Sequence, residues 1–367
     1  MGKTRYLALD VFRGMTVALM ILVNNPGSWS HIYAPLRHAA WHGCTPTDLV
    51  FPFFLFIVGV SMFFSFSSVN HTLDSKMFLR ILKRAVLIFA IGLFLSSFPQ
   101  WKQDFSKLRI PGVLQRIAIA YFAASVIVLT VGRKWLPWIS GAVLVGYWAL
   151  LKYGGTGDPY SLEGNIVAVA DKAIFGENHI YKGFGLPFDP EGLLSTLPAV
   201  ITVITGYLAG AIINTVEKHK IPIRFSIIGI TGIAAGLLWS LLLPLNKPLW
   251  TSSYVVYTAG WAFIILALMI WITDIKGITG WTSFFTAFGM NPLFIFALSG
   301  LWARFLTRIV KIGSGEEAVN GYNWLYTNVF QPLAGDINGS LLFALFHILV
   351  FWLIVHWLQK KKIYIKV

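Results

Sequence analysis

Ten stretches of roughly twenty apolar residues recur along this 367-residue chain, near 8–26, 46–68, 77–97, 112–131, 135–151, 194–214, 224–244, 253–273, 284–306 and 339–358. A hydrocarbon core about 30 Å thick takes roughly 20 residues of α-helix to cross, at 1.5 Å per residue. In that medium every backbone N–H and C=O must be paired within its own segment, and alternation at period two is absent, so helices are the only plausible spans. The expected fold class is an all-α polytopic membrane protein with about ten transmembrane helices. Composition agrees: 12% of residues are charged, where a water-soluble fold carries roughly a quarter.

Threaded through ten spans, the basic clusters fall on one side. They are Lys3 and Arg5; Lys76, Arg80, Lys83 and Arg84; Arg133 and Lys134; Lys218, Lys220 and Arg224; Lys276; and Lys360, Lys361, Lys362 and Lys366. The positive-inside rule makes that side cytoplasmic and puts both termini there. The formal charge of +14 therefore reports topology, and the expected partner is the lipid bilayer of the plasma (inner) membrane rather than nucleic acid. The first apolar stretch is long enough to span and has no A-x-A-like cleavage site, so it is expected to be a retained helix. Cys44 is the only cysteine, which excludes an intramolecular disulfide. No strong internal repeat and no appended soluble domain are apparent. Residues 1–367 read as a single transmembrane domain with outer-side loops 27–45 and 152–193.

Chemistry concentrates where polar residues abut the apolar walls. The stretch HAAWHGCTPTDLVFPFFLF (38–56) places two histidines, the cysteine, two threonines and an aspartate against a run of phenylalanines. Thr45 or Thr47 with Asp48 can cap the second helix. His38 and His42, four apart, superficially match a zinc motif, but Ala39 stands where the general-base glutamate would be, so no metal is expected. A histidine beside a carboxylate at a membrane boundary suits general-base or acyl-carrier work; the alternative is an interfacial histidine that merely hydrogen-bonds. Asp10 and Arg13 lie one turn apart near the cytoplasmic end of the first helix. They form either an ordinary ion pair or a place where a cation meets a phosphorylated ligand. Gln115, Arg116, Lys247, Trp250, Ser252 and Asn291 lie in or beside other spans, where polar groups are either functional or pack between helices.

Together these segments resemble the heparan-α-glucosaminide N-acetyltransferase family of transmembrane acyltransferases. The matching pieces are LDVFRG with LMILVN, HAAWHGCTPTDLVFPFFLFIVG, PGVLQRIAIAY, PFDPEGLLSTLPAVITVITGYLAG, LNKPLWTSSYVVYTAGWAF and DIKG…FGMNPLFIF, in order over nearly the whole chain. The resemblance implies acetyl transfer from cytoplasmic acetyl-CoA to the amine of a glucosamine-type sugar on the outer side. It implies His38 as the catalytic histidine, with Asn24 and Asp48 as its partners, and it places Asp189 and Glu191 of the DPEG loop near the sugar, where His42 and Trp250 are also expected. Asp10, Arg13, Gln115, Arg116, Lys247 and Asn291 are the expected donor-binding set. A homodimer is expected as well. The family's lysosomal members have an asparagine where His42 stands, a shorter loop between Asn24 and His38, an extra luminal domain and one more helix. The expectation is accordingly a bacterial-type member acting on glucosamine or on a cell-wall or glycan fragment. The competing function is a transporter of N-acetylglucosamine or a related amino sugar, in which the same polar groups line a passage.

Overall fold

A computed structural model describes residues 6–99, 104–315 and 318–365; Lys3, Arg5 and Lys366, used above for orientation, lie outside them. Helices α1 (Leu7–Asn24), α2 (Pro46–Phe66), α3 (Ser75–Ser97), α4 (Val113–Thr130) and α5 (Leu136–Gly154) come first. They are followed by a short α6 (Ile166–Phe175), then α7 (Thr196–Thr215), α8 (Ile221–Ser240), α9 (Ser252–Met269), α10 (Thr282–Met290) and α11 (Pro292–Arg304). Two short helices, α12 (Gly321–Leu325) and α13 (Gln331–Ala334), precede α14 (Asp336–Lys360). Eight helical segments are long and apolar enough to cross a membrane. α3 and α5 also match expected spans in position, but α3 carries Lys76, Arg80, Lys83 and Arg84 in its first half. The one sheet among the described residues is a two-stranded hairpin, Lys311–Ile312 with Val319–Asn320.

The helix ends follow from local chemistry. Thr45 and Asp48 form a capping box at the start of α2, with Pro46 in the first turn, where its missing N–H costs nothing. α1 has no capping side chain at its own N-cap. Asp274, in the π-helical continuation of α9, accepts from Leu7 N at 3.0 Å and Ala8 N at 2.9 Å instead. The apolar stretch 284–306 is two helices rather than one. Pro292 lacks an N–H and Asn291 leaves the helical region (φ −130°, ψ 51°), so the chain breaks between α10 and α11. The loop 152–193 contains α6, capped by Asn165, whose side chain accepts from Ala168 N at 2.8 Å.

Helix contacts are made through glycines. A Cβ on Gly59 of α2 or on Gly206 of α7 would lie 1.9 Å from a carbonyl oxygen of the other helix. Backbone-to-backbone approach of this kind is how small residues join helices in lipid, where no hydrophobic force drives association. It fixes α2, which starts at Asp48's capping box, against α7, which the DPEG loop precedes.

Candidate active site: a histidine held by a buried aspartate

The loop 27–45 folds back over the start of α2. His38 Nδ1 comes 2.6 Å from Asp48 Oδ1, and Ala39 N, Thr45 N and Thr45 Oγ1 all donate to Asp48 Oδ2 at 3.1, 3.0 and 3.1 Å. The Asp48 side chain is 2% exposed, that of His38 41%. An ionised carboxylate can only accept, so the Nδ1 of His38 carries the proton and its Nε2 presents a lone pair. Lys247 Nζ lies 3.2 Å from the same Nδ1 and 3.5 Å from Asp48 Oδ1. Because that Nδ1 has no free lone pair, the lysine acts there as a charge that pairs with the carboxylate. Burial pushes the Lys247 ammonium below its ordinary pKa, while Asp48 and Glu191 work in the other direction. Asn246, next to it, donates to Trp41 O at 3.0 Å and lies 3.4 Å from His42 Nδ1. His42 is exposed, and partial burial of its ring lowers its pKa against the charge of Asp158. Burial beside Asp48 pushes the Cys44 thiol up to about 12, so it is no nucleophile at neutral pH.

Behind this group stands the DPEG loop. Arg109 Nε and Nη2 grip Asp189 at 2.8 and 2.6 Å, and Nη2 also meets Glu191 Oε2 at 2.5 Å. Asp189 is fully buried and also accepts from Tyr181 N and Glu191 N, both at 3.0 Å. Four contacts fill the acceptor capacity of a carboxylate; of the two acids, Glu191 is the one with an oxygen that Arg109 leaves unused. Asp171 of α6 pins the next turn through Leu193 N at 2.9 Å and presses so close to Gly192 that a Cβ there would lie 1.6 Å from its Oδ2. Arg116 donates to Gly192 O at 3.2 Å and to the Ser195 hydroxyl, and lies over the Trp250 ring at 5.0 Å. Arg116, Gln115 and Trp250 are buried. Trp250 holds a left-handed backbone (φ 50°), donates to Thr202 Oγ1 and packs edge-on against Phe51 at 5.3 Å.

Two cavities flank these elements. The first, of 360 Å3, lies between α1, α2, α3, α4 and the α10/α11 break. Arg13, Ser61, Ser65, Arg84 and Tyr121 contribute its polar lining. Arg13 Nη2 donates to Ser61 Oγ at 2.8 Å, and its Nη1 is 3.4 Å from Asp10 Oδ1. Along α2 the cavity runs from Phe66 to Phe54, about 18 Å, and ends six residues, about 9 Å of rise, short of Asp48. His38 is not in its wall. The second cavity, 430 Å3, is lined by Asn24, Trp29, Arg304, Thr307, Asn323 and Tyr326. Asn24 thus faces this chamber and makes no hydrogen bond to His38. Arg304 is within electrostatic range of Arg109.

Of the expected donor-binding set, Arg13, with Asp10 beside it, is at the first cavity. Arg116 is packed behind the DPEG loop, Gln115 lies against Gly92 of α3, Lys247 belongs to the histidine pair, and Asn291 turns its side chain to the chain near residue 365. Sequence reading missed Arg109, Arg84 as a cavity residue, Asn246, Asp171 and Arg304.

Against known proteins, the family model "Heparan-alpha-glucosaminide N-acetyltransferase, catalytic" matches residues 5–220. The human heparan-alpha-glucosaminide N-acetyltransferase is 30% identical over 349 residues, covering 80% of this chain and 52% of that protein. The mouse protein of the same name is 29% identical over 353 residues, covering 80% and 53%. The chain spans about half the length of the curated relatives it matches.

Proposed function

The chain belongs to the heparan-α-glucosaminide N-acetyltransferase family, and on that premise we propose that it is a membrane-embedded acyltransferase. It moves acetyl from cytoplasmic acetyl-CoA to the amine of a glucosamine-type sugar on the outer side of the plasma membrane. In this reading α1, α2, α3, α4, α5, α7, α8, α9, the α10/α11 pair and α14 are ten crossings, with both termini cytoplasmic. The single observation that carries the proposal is the His38–Asp48 pair, whose geometry leaves Nε2 as a base with its back braced by a buried carboxylate.

The Arg13/Arg84 cavity suits the donor: its two guanidiniums match phosphate charge and its length along α2 is comparable to half a bilayer. Acetyl-CoA supplies the activated thioester. Phe51, on α2 between Phe54 and Asp48, packs edge to face with Trp250, and in this reading those rings swing aside for transfer. His38 Nε2 takes the proton from the amine as it attacks the thioester carbonyl and returns it to the coenzyme A thiolate released when the C–S bond breaks; in the alternative order Nε2 itself attacks, expels the thiolate and then passes acetyl to the amine, whose proton goes to the thiolate. Asp48 holds the ring in the tautomer that permits either. Lys247 is the cation nearest to an oxyanion forming beside His38, a role worth about 3 kcal/mol for a single well-placed donor. Asn24 and Glu191 are assigned to the acceptor.

The test is a liposome-reconstituted protein given labelled acetyl-CoA and a panel of amino sugars. Label moves to sugar with the wild type and does not with His38→Ala; substantial transfer by that variant would refute the assignment. The transport reading predicts sugar uptake without any acetyl donor, and the same vesicles measure it.

A further inference from the structure

We infer that the segment 363–365 is the inner wall of the donor cavity, and that Asn291 is a positioning residue for the donor, acting through that segment. The inference rests on the donor occupying the Arg13/Arg84 cavity.

α14 does not simply fray. Ile363 N donates to Leu358 O at 2.9 Å and Lys362 N to Gln359 O at 3.0 Å, with Lys362 in the left-handed region (φ 55°). This is a Schellman closure, which reverses the chain direction at the end of a helix. A lysine there accepts a conformation that normally favours glycine, so the turn is held in place by the tail beyond it. That tail is secured at two points: Asn291 Nδ2 donates to Ile363 O at 3.2 Å, and Asn291 Oδ1 accepts from Ile365 N at 2.7 Å. The asparagine amide pairs with the tail as a neighbouring strand would, and its side chain is fully buried. Ile365, so held, lines the cavity with Arg13, Arg84, Met290 and Pro292.

The placement of Asn291 explains why the helix breaks there. A residue inside a continuous helix could still present a side chain, but the break at Asn291 and Pro292 puts the amide beside the tail and leaves Met290 and Pro292 on the cavity wall. Tail and broken helix thus form one surface. Loosening this latch frees the part of the cavity wall that Ile365 supplies, and a ligand held by Arg13 and Arg84 loses that contact.

The test uses coenzyme A itself as the probe on full-length reconstituted protein. Ile365→Pro removes the N–H received by Asn291 Oδ1, and Asn291→Asp removes the amide that donates to Ile363 O. Arg84→Gln reports on the cavity independently. The expected result is a Kd for coenzyme A raised about tenfold by each tail variant, the loss of one hydrogen bond. KM for acetyl-CoA should rise in step, kcat at saturating donor should stay within about twofold, and the acceptor KM should not change. If Arg84→Gln weakens binding while both tail variants keep the wild-type Kd, the inference is overturned and the donor site stands. If all three bind as wild type, the donor site falls with it. A fall in kcat without a change in KM makes the role merely structural, and tighter binding by Ile365→Pro makes the tail a plug; either outcome overturns the inference.

Discussion

His38 Nδ1 and Asp48 Oδ1 are 2.6 Å apart, and the same carboxylate caps the helix on which it sits. One side chain therefore does two jobs: its Oδ2 fixes the fold-back of loop 27–45 and its Oδ1 fixes the ring. The histidine is positioned by the device that starts α2, so its orientation is as firm as a helix terminus.

Asp48→Asn disturbs both jobs. An amide can still accept at one atom but no longer imposes the Nδ1–H tautomer, so kcat should fall by roughly 10²–10⁴-fold. The thermal midpoint should fall as well, because the amide leaves Lys247 without its buried carboxylate partner. Steady-state kinetics beside a melting curve in detergent would check both, and near-normal kcat would remove Asp48 from the mechanism.

Lys247→Gln tests the charge beside the ring. The ammonium lies 3.5 Å from Asp48 Oδ1 and is the cation assigned to the oxyanion, so its removal should lower kcat by roughly 10²-fold, the loss of one oxyanion donor. Steady-state kinetics would check this, and an unchanged kcat would remove the lysine from the mechanism.

Arg109→Ala strands Asp189, which is fully buried, without its guanidinium. Breaking one partner of a buried pair costs about 3–5 kcal/mol, and the melting temperature should drop accordingly. Adding Asp189→Asn should recover a part of that loss, because the stranded charge goes with it. Unchanged melting in Arg109→Ala would show that the pair contributes nothing to stability.

Asp171 sets a pH dependence of stability. Burial pushes its carboxyl up to about 6, against the N–H groups of Leu193 and Leu194, while the unfolded chain titrates near 3.9. The folded state therefore binds the proton more tightly: the contribution is fully present below about pH 4 and is lost as pH rises through about 6. Its size is about 3 kcal/mol. Relative to Asp171→Asn, the wild type should lose thermal stability between pH 4.5 and 7, and parallel melting curves across that range would contradict the shift.

Part of the site was legible in the sequence alone. The capping box of Thr45 and Asp48 is written within four residues, and the proximity of His38 to Asp48 follows from a loop of ten. The break at Asn291 was not legible because 284–306 is apolar throughout, and hydropathy does not register the single missing N–H at Pro292. Arg116 and Trp250 were legible as polar or aromatic groups near spans, but not as a stacked pair with no open face.

By itself the sequence determined that the chain is helical and apolar enough for a membrane, where α2 starts, and which histidine has a carboxylate within reach. These are consequences of hydropathy and of hydrogen bonds spanning a few residues, which act before helices meet. Only the tertiary structure decided that Lys247 reaches His38 across 209 residues, that Arg109 claims Asp189 across 80, and that Asn291 holds Ile365 across 74. Such pairs depend on how closely helix backbones approach, as where Gly59 and Gly206 let α2 touch α7, and that distance is set by packing, which no local pattern encodes.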